Sequence, residues 1–466
     1  MVDHLHHLTV ADAAELIAAR QLSPVELTDA CLARIAEIDG ALCSFVTVTA
    51  ERAREEARRA EAEIAASGPR RPLHGIPYAL KDIYGVAGVP TTAGSRLLAN
   101  NMAIENAAAV TTLEKAGAIL IGKNTTWEFA HGGPSWDALS PPARNPWNLS
   151  YSPSGSSSGS AAAVAAGLVP VSLGTDTGGS IRGPAAACGV AGLKPTYGRV
   201  SRRGIVPNCF SQDHAGPLAW TCRDLALVLG VIAGHDPHDP GSAAVEVSDY
   251  AAALTGSMRG LIIGVPWRWL EEEMPPDTVT RAAFDAALDV LRGLGAEFRD
   301  VALPPIIDFH ATMKVIAASE LFAIHGPDLR TRPDMFGASL RYRVIAGGLI
   351  RAEEYLRAQR SRTALARATQ RMMAAVDLIV LPTADAAGPL EPVHPASTFT
   401  QPSYTSPFSV AGNPALSVCS GFDGAGLPLS LQIVGRLFDE ATVLRVGDAF
   451  ERATDWRSRR PEFQAQ

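Results

Sequence analysis

Apolar positions along the chain form short continuous runs, and stretches with helical spacing lie between them. Runs of four to six apolar residues bounded by Gly, Pro or polar residues are typical of buried strands. Such runs predict strands at Ile76–Leu80, Ala118–Ile121, Leu168–Leu173, Leu261–Val265, Leu378–Leu381, Ala415–Val418 and Leu429–Val434. This alternation predicts an α/β protein in which helices cover a large central sheet.

Capping residues mark where the first helices begin. Thr9 with Asp12 predicts one helix start, and Ser23–Glu26 supplies an N-cap, a proline in the first turn and a capping-box acid. Three further segments are predicted to be helical: the Ala-rich Ser160–Gly167, the charge-rich Glu51–Ala66 and the Arg-rich Arg330–Ala375. We expect the charges of the last two to face water, so these helices are scaffold.

Size and charge narrow the class of protein. The chain has 466 residues, 47% of them hydrophobic, and a net charge of −7, so it can bury a large core but offers no basic stripe for nucleic acid. Apolar stretches such as Ala226–Gly234 are too short to span a bilayer. The first residues lack a signal-peptide pattern, and the cysteines show no C-x-x-C spacing, so we expect reduced thiols in the cytoplasm and no zinc.

Residues 234–248 form the best linker candidate, yet strand signals continue on both sides of them. We therefore expect one domain over 1–466. Within it we distinguish an N-terminal helical segment (about 1–70), a core (about 71–230) and a helix-rich region on the substrate side (about 270–375).

Lysine is scarce in this chain. Only five of the 41 basic residues are lysines: Lys81, Lys115, Lys123, Lys194 and Lys314. A buried lysine can lose its proton, whereas an arginine effectively cannot. A catalytic base of this type must therefore be sought among these five.

Two segments rich in Gly and Ser carry the candidate chemistry. Gly155–Gly159 matches the G-x-S-x-G pattern that would make Ser157 a nucleophile, but the proline-rich residues before it give no strand, which that motif requires. Thr175–Ser180 does follow a predicted strand. There the amides of Thr177, Gly178, Gly179 and Ser180 could converge into an oxyanion hole, with Ser180 as nucleophile. A tight Gly-Gly turn explains the same residues equally well.

Three motifs together resemble the amidase signature family. They are Gly75–Asp82 (GIPYALKD), Gly155–Ser160 (GSSSGS) and Gly174–Arg182 (GTDTGGSIR), with 75 residues from Lys81 to Ser156 and 24 from Ser156 to Ser180. The resemblance continues through Cys188–Thr196, Gly412–Ser417 and Gly426–Gly435, so it covers nearly the whole chain. It implies a single α/β domain with a mixed, twisted sheet covered by helices on both faces.

The resemblance also implies roles for particular residues. Ser180 becomes the nucleophile, Ser156 the bridging serine after a cis Gly155–Ser156 bond, and Lys81 the neutral base, with no metal or cofactor. Asp176 and Arg182 would pair to support the turn. Lys123 and Lys194 are rival bases in scaffold segments, and His214 is expected to be a structural or pocket-wall residue.

The sequence departs from the family pattern at three positions. Ser154 and Ser158 replace glycines of the usual Gly-Gly-Ser-Ser-Gly-Gly, which adds hydroxyls without removing a required group. Gly183 stands where some relatives contact substrate with a larger side chain, which puts recognition from that position in doubt.

Substrate-binding residues are predicted from the same resemblance. We expect Trp127, Phe129, Gly132, Trp136 and Phe210 to line the acyl pocket, joined by Tyr404 and Phe408, although each aromatic is equally well explained as a core residue. These residues predict an apolar or aryl group on the substrate.

The expected function is hydrolysis of a carboxylic amide through a Ser180 acyl-enzyme, with carbamates, ureas and esters as further substrates. One alternative is the glutaminase (A) component of a tRNA-dependent amidotransferase, and another is a non-catalytic binding protein of the same fold. The main interpretation expects a small-molecule amide as partner, with neither nucleic acid nor membrane, and leaves a homodimer open.

Overall fold

One mixed sheet organises the molecule. The computed structural model describes residues 5–392 and 401–462. Its strands there are β1 Phe45–Val48, β2 Pro77–Lys81, β3 Ile119–Asn124, β4 Val171–Asp176, β5 Ala191–Lys194, β6 His214–Ala219, β7 Ile262–Val265, β8 Glu297–Asp300, β9 Leu378–Pro382, β10 Ala415–Phe422 and β11 Pro428–Gly435. They lie side by side in the order β1-β3-β2-β4-β6-β5-β10-β11-β9-β7-β8.

Parallel and antiparallel pairs alternate in blocks across the sheet. The strands β3, β2 and β4 run parallel to one another, as do β9, β7 and β8. The pairs from β4 through β6, β5, β10 and β11 to β9 are antiparallel. The expectation of a mixed sheet is confirmed.

Helices fill the connections between strands. They are α1 Val10–Ala18, α2 Pro24–Leu42, α3 Ala50–Ser67, α4 Ala108–Ala116, α5 Ser158–Ala165, α6 Arg182–Cys188, α7 Cys222–Ile232, α8 Thr278–Gly293, α9 Ile306–Thr331, α10 Ala338–Gly347, α11 Ala352–Met373, α12 Ser406–Val410 and α13 Glu440–Arg452. In the described ranges none of them is long and apolar enough to cross a membrane.

Strand β2 shows that the sheet is covered on both faces. Successive strand residues point to opposite faces. Tyr78 and Leu80 belong to one apolar core with residues of α4, α7 and α13, whereas Ala79 belongs to a second core with residues of α3, α5 and α6. Two helical layers therefore flank the sheet, as the sequence predicts.

Helix α5 is buried along its whole length, because it is built only from Ser, Gly, Ala and Val. Small side chains let a helix approach neighbouring backbone closely. At Gly159 a Cβ atom would lie 2.4 Å from the carbonyl oxygen of Ser44. This close packing fixes the start of α5, and with it the residues that precede the helix.

The sequence analysis does not predict four of the strands. The strands β5 (AGLK) and β6 (HAGPLA) contain Gly or Pro and no long apolar run, and they are buried by their neighbours rather than by their own hydrophobicity. The strands β1 and β8 lie at the two edges of the sheet and are largely exposed or half-buried. Strand β4 begins three residues later than predicted, because Gly167 and Pro170 occupy the turn after α5.

Candidate active site

The ends of two parallel strands position the site. Lys81 is the last residue of β2, and Asp176 is the last residue of β4. These strands pair in parallel, with Ala79 opposite Ser172. Because the carboxyl ends of parallel strands meet at one edge of a sheet, Lys81 lies beside the turn that follows Asp176.

The Lys81 ammonium is fully buried and points at two hydroxyl groups. Its Nζ atom lies 2.7 Å from Ser156 Oγ and 2.9 Å from Thr175 Oγ1. Burial lowers the pKa of Lys81 to about 7, although the charges of Asp213 and Asp176 act in the opposite direction. Burial therefore favours the neutral form of Lys81, which can accept a proton.

One backbone hydrogen bond joins the segment that carries Ser156 to Ser180, and another holds Ser156 against Trp127. The Gly155–Ser156 peptide bond is cis. The amide of Ser157 donates to the carbonyl oxygen of Ser180 at 3.3 Å, and the amide of Trp127 donates to that of Ser156 at 3.2 Å. Among the described residues the Ser180 hydroxyl has no hydrogen-bond partner, and this half-buried serine lines the adjoining cavity.

The Asp176 carboxylate holds the turn 177–180. It accepts hydrogen bonds from the amides of Gly179 at 2.7 Å and Ile181 at 3.1 Å. The Gly179 amide is therefore not free for an oxyanion, contrary to the sequence prediction of four converging amides. The amides of Thr177, Gly178 and Ser180 make no hydrogen bond within the described part of the chain.

Asp176 and Arg182 form a buried ion pair. Arg182 Nε and Nη2 donate to the two carboxylate oxygens at 3.0 and 2.8 Å, and both side chains are fully buried. Burial alone would raise the pKa of Asp176, but the charge and hydrogen bonds of Arg182, together with the nearby Lys194 and His214, outweigh it and hold that pKa well below the usual range. Arg182 also donates to Thr405, Ser409 and Gln432, so it ties the turn to α12 and β11.

The rival candidates have other partners. Lys123 pairs with Asp82 at 2.8 Å, and Lys194 donates to the carbonyl oxygen of Asn413 at 2.5 Å. Ser157 is buried and donates to the carbonyl oxygen of Thr175 at 3.2 Å. None of these groups lies on the cavity beside Ser180 in the described residues.

His214 has a structural position. Its Nδ1 atom lies 3.0 Å from the backbone oxygen of Asp176, and the ring packs edge-on against Tyr197. A carbonyl oxygen only accepts, so this bond requires a proton on Nδ1. The ring braces the end of β4 and is not part of the cavity lining.

A cavity of about 440 Å³ adjoins Ser180. Trp127 and Gly132 line it, as predicted. Phe129 does not, because it packs in the core against His325. Trp136 and Phe210 are each 50% exposed and lie outside the lining, and Phe210 is covered by the Arg202 guanidinium.

Two more predicted aromatics belong to the core. Tyr404 and Phe408 are buried, and Phe408 packs against Trp269. Gly183 does line the cavity, and a Cβ atom there would lie 3.0 Å from Ser154 Oγ. Two of the departures from the family pattern therefore face each other at the site.

The cavity is more polar than the sequence predicts. Lys314 on α9 and Arg343 on α10 line it, together with His131, Asn208 and His310. In the described lining there is no Asp or Glu, and no acidic, His or Cys cluster suited to a metal ion occurs among the described residues. The sequence prediction missed these cations because they lie in helices that follow the motifs by more than 130 residues. The scarcity of lysine was the one signal that pointed to Lys314.

Known proteins resemble this chain over nearly its whole length. The Amidase family model matches residues 26–444. The A component of glutamyl-tRNA(Gln) amidotransferase from Roseiflexus sp. is 44% identical, over 98% of this chain and 99% of that protein. A chain from a vestigial protein complex, described as revealing the origins of an s-triazine catabolic enzyme, superposes with a TM-score of 0.89 at 35% identity, covering 96% of this chain and 98% of the other. A bacterial aryl acylamidase superposes with a TM-score of 0.88 at 27% identity, covering 97% and 98%.

These relatives correct one expectation. Proteins 40 to 44% identical over nearly the full length are components of an amidotransferase that acts on glutamyl-tRNA(Gln). The prediction of a small-molecule partner only, with no nucleic acid, is therefore wrong.

Proposed function

Since the chain belongs to the amidase family and is a hydrolase of amide C–N bonds, we propose that Lys81, Ser156 and Ser180 carry out its reaction. Ser180 is the nucleophile, Ser156 the bridging acid and base, and Lys81 the terminal base. The observation that carries this proposal is the 2.7 Å hydrogen bond between Lys81 Nζ and Ser156 Oγ, and burial lowers the pKa of that lysine to about 7.

Proton transfer follows this chain of groups. As Ser180 Oγ attacks the amide carbon, its proton passes to Ser156, whose own proton passes to neutral Lys81. The relay then runs backwards, protonates the leaving amine and breaks the C–N bond. Water repeats the cycle on the acyl-enzyme and releases the carboxylic acid.

The negative charge on the carbonyl oxygen is stabilised by backbone amides. We assign this role to Thr177, Gly178 and Ser180, because the Gly179 amide is bound to Asp176. Thr405 Oγ1 donates to the carbonyl oxygen of Gly178 at 2.7 Å and so fixes the orientation of the Gly178–Gly179 peptide, which lies between the Gly178 and Ser180 amides. Preorganised donors of this kind need no rearrangement as the charge develops.

Labelling with a fluorophosphonate, followed by peptide mass spectrometry, tests the assignment. We expect the adduct on Ser180, and we expect Lys81→Ala to abolish it because the relay loses its base. Ser157→Ala is the matched control and should still be labelled on Ser180. An adduct on Ser157, or equal labelling of the Lys81→Ala variant, would contradict the proposal.

The substrate is proposed to carry a carboxylate. Arg343 brings a guanidinium to the cavity, and a Cβ atom at Gly132 would lie 2.9 Å from its Nη1, so the glycine leaves room for that cation. This replaces the apolar or aryl group expected from the sequence. Ammonia release from amides with and without a carboxylate tests it, and we expect the charged amides to be preferred.

A second proposal concerns the setting of the reaction. We infer that the chain acts within an assembly, as one component of an amidotransferase, and the support is 44% identity to such a component over 98% of the chain. Ammonia release by the purified chain should then increase when the other components of an amidotransferase and its aminoacylated tRNA are added. A rate unchanged by them would contradict the assembly while leaving amide hydrolysis intact.

A further inference from the structure

The peptide that joins Asp176 to Thr177 supplies one of the three amides assigned to the oxyanion. Its carbonyl oxygen, that of Asp176, lies 3.0 Å from His214 Nδ1, which carries the proton of this hydrogen bond. Because a peptide group is planar, a bond that holds the carbonyl oxygen also restrains the direction of the Thr177 N–H. His214 therefore restrains this peptide from its carbonyl side.

A second contact reaches Thr177 through its side chain. Thr177 Oγ1 lies 2.5 Å from Asp213 Oδ1 and 3.3 Å from Asn208 Nδ2. The same Asn208 nitrogen donates to the carbonyl oxygen of Ala130 at 3.0 Å, which identifies it as the NH₂ group. An NH₂ group only donates, so the Thr177 hydroxyl accepts from Asn208 and gives its own proton to the bond with Asp213.

The Asp213 carboxylate accepts every hydrogen bond that it makes. Its Oδ2 accepts from the Asn208 amide at 2.9 Å, and both oxygens lie 3.1 Å from the amide nitrogen of Cys209. Burial raises the pKa of Asp213, and the bonds from Thr177, Asn208 and Cys209 act in the opposite direction. Asp213 forms no ion pair with the described residues, so these bonds are its main compensation for burial.

The other anchors of this turn lie further along it. Asp176 accepts from the Gly179 amide at 2.7 Å, and Thr405 donates to the carbonyl oxygen of Gly178 at 2.7 Å. Neither bond involves Thr177. The first donor of the turn therefore depends on the residues around the start of β6.

We propose that Asp213 is a positioning residue for the reaction: by accepting a hydrogen bond from the Thr177 hydroxyl, it holds the Thr177 amide where the oxyanion forms. This inference rests on the proposed attack by Ser180. An oxyanion donor acts on the charge that develops in the transition state. Loss of its position should therefore slow the chemical step and leave the binding of a reagent nearly unchanged.

Thr177→Val removes the hydroxyl and keeps the shape of the side chain. The probe is a fluorophosphonate, whose reaction with Ser180 gives a maximal rate, kinact, and a binding constant, KI. At about pH 9 the Lys81 amine, whose pKa is about 7, is neutral, so the base is in its reactive form. We expect Thr177→Val to lower kinact by about tenfold and to change KI by less than about twofold. An equal kinact in parent and variant would overturn the inference.

Two further variants separate the hydroxyl from packing in general. Thr177→Ser keeps the hydroxyl, and its kinact should stay within about threefold of the parent value. Thr369→Val is the matched control, because this buried threonine donates to the carbonyl oxygen of Leu365 within α11, and it should leave both constants unchanged. If Thr177→Ser loses as much as Thr177→Val, the hydroxyl is not responsible and the inference is wrong.

Removal of the carboxylate tests the other end of the bond. Asp213→Asn should lower kinact at least as much as Thr177→Val, because its NH₂ group faces the Cys209 amide in either orientation. The Asp213 charge raises the pKa of Lys81, so its removal only favours the neutral base. The double variant should react like Asp213→Asn alone, since both changes break the same bond. Losses that add up in the double variant would overturn the inference.

Urea unfolding and mass spectrometry keep the possible failures apart. The two Thr177 variants decide the question on their own if urea unfolding shows that Asp213→Asn is not folded. Label on Ser180 in the parent, with an unchanged kinact in Thr177→Val, would refute only the role of Asp213. Absence of label on Ser180 in the parent would refute the proposed nucleophile, and this inference with it.

Discussion

Replacement of Asp176 by Asn is the most direct test of how the turn is held. In the structure Asp176 Oδ1 accepts from the Gly179 amide, Arg182 Nη2 and Ser409 Oγ, at 2.7, 2.8 and 3.3 Å. Its Oδ2 accepts from the Ile181 amide and from the amide and Nε of Arg182, at 3.1, 3.3 and 3.0 Å. Whichever way an asparagine amide turns, its NH₂ group faces three donors.

The expected loss of stability follows from the burial of the ion pair. Both members of the Asp176–Arg182 pair are inaccessible to solvent, so the variant leaves a buried guanidinium charge without its counter-ion. Breaking one side of a buried pair costs about 3–5 kcal/mol. We expect the free energy of unfolding to fall by that amount. We also expect kcat to fall by about a hundredfold, because the amides around Gly179 lose their anchor.

Urea unfolding followed by circular dichroism measures the first effect, and ammonia release measures the second. Asp289→Asn is the control, because the Arg292–Asp289 pair is also an arginine–aspartate ion pair but has side chains that are 59% and 76% exposed. It should cost less than about 1 kcal/mol. The double variant Asp176→Asn with Arg182→Met should recover part of the loss, since it also removes the unpaired charge. If Asp176→Asn costs no more than Asp289→Asn, the reasoning is refuted.

Three further predictions concern the rest of the molecule. The proposed base is neutral Lys81, whose pKa is about 7. We therefore expect kcat/KM to fall about tenfold per pH unit below pH 7 and to level off above it. A flat profile from about pH 5 to 9 would argue against Lys81 as the base. Gly155→Ala should inactivate the enzyme, because the new Cβ would lie 2.0 Å from Trp127 Cε2. A second substitution, Trp127→Ala, should restore part of the activity. An active Gly155→Ala enzyme would show that the contact with Trp127 does not limit this position. Burial raises the pKa of Asp224 to about 6 in the folded state, above its ordinary value. Folding therefore takes up a proton between about pH 4 and 6, and the free energy of unfolding falls as the pH rises through that window. The urea midpoint of Asp224→Asn should lack this part of the decline, and an identical pH dependence in variant and parent would count against it.

Local sequence patterns predicted those parts of the fold that depend on a strand's own residues. The strands β9 and β11 are continuous apolar runs, so their own side chains favour burial. The predicted bounds of both strands agree with the structure to within one residue at each end. The strand β6 was not predicted, because HAGPLA is buried only through its neighbours β4 and β5. Burial imposed by other strands leaves no periodic signal in the segment itself.

The catalytic roles of Lys81, Ser156 and Ser180 came from the resemblance of three motifs to the amidase signature family, and they remain a prediction. Each of Lys81, Ser156 and Ser180 lies in a motif whose neighbours serve the same group, so a short stretch of sequence carries both the side chain and its support. The Gly179 amide shows the limit of such reasoning. That Asp176 would take this amide depends on the conformation of the turn, and no spacing of residues along the chain specifies it.

The lining of the cavity was predicted least well, and the reason is physical. Aromatic residues close to the motifs were expected to line the cavity, but an aromatic ring is stabilised equally by core packing, as Phe129 against His325 illustrates. An ammonium withdrawn from water has no such alternative, because desolvation is costly unless a partner or a ligand offsets it. Lys81, Lys123 and Lys194 are buried beside hydrogen-bond partners, whereas the partly buried Lys314 has none in the described structure. A residue type that is costly to bury, such as lysine, is therefore a better guide to the polar lining of this cavity than an aromatic residue, which packs easily in the core.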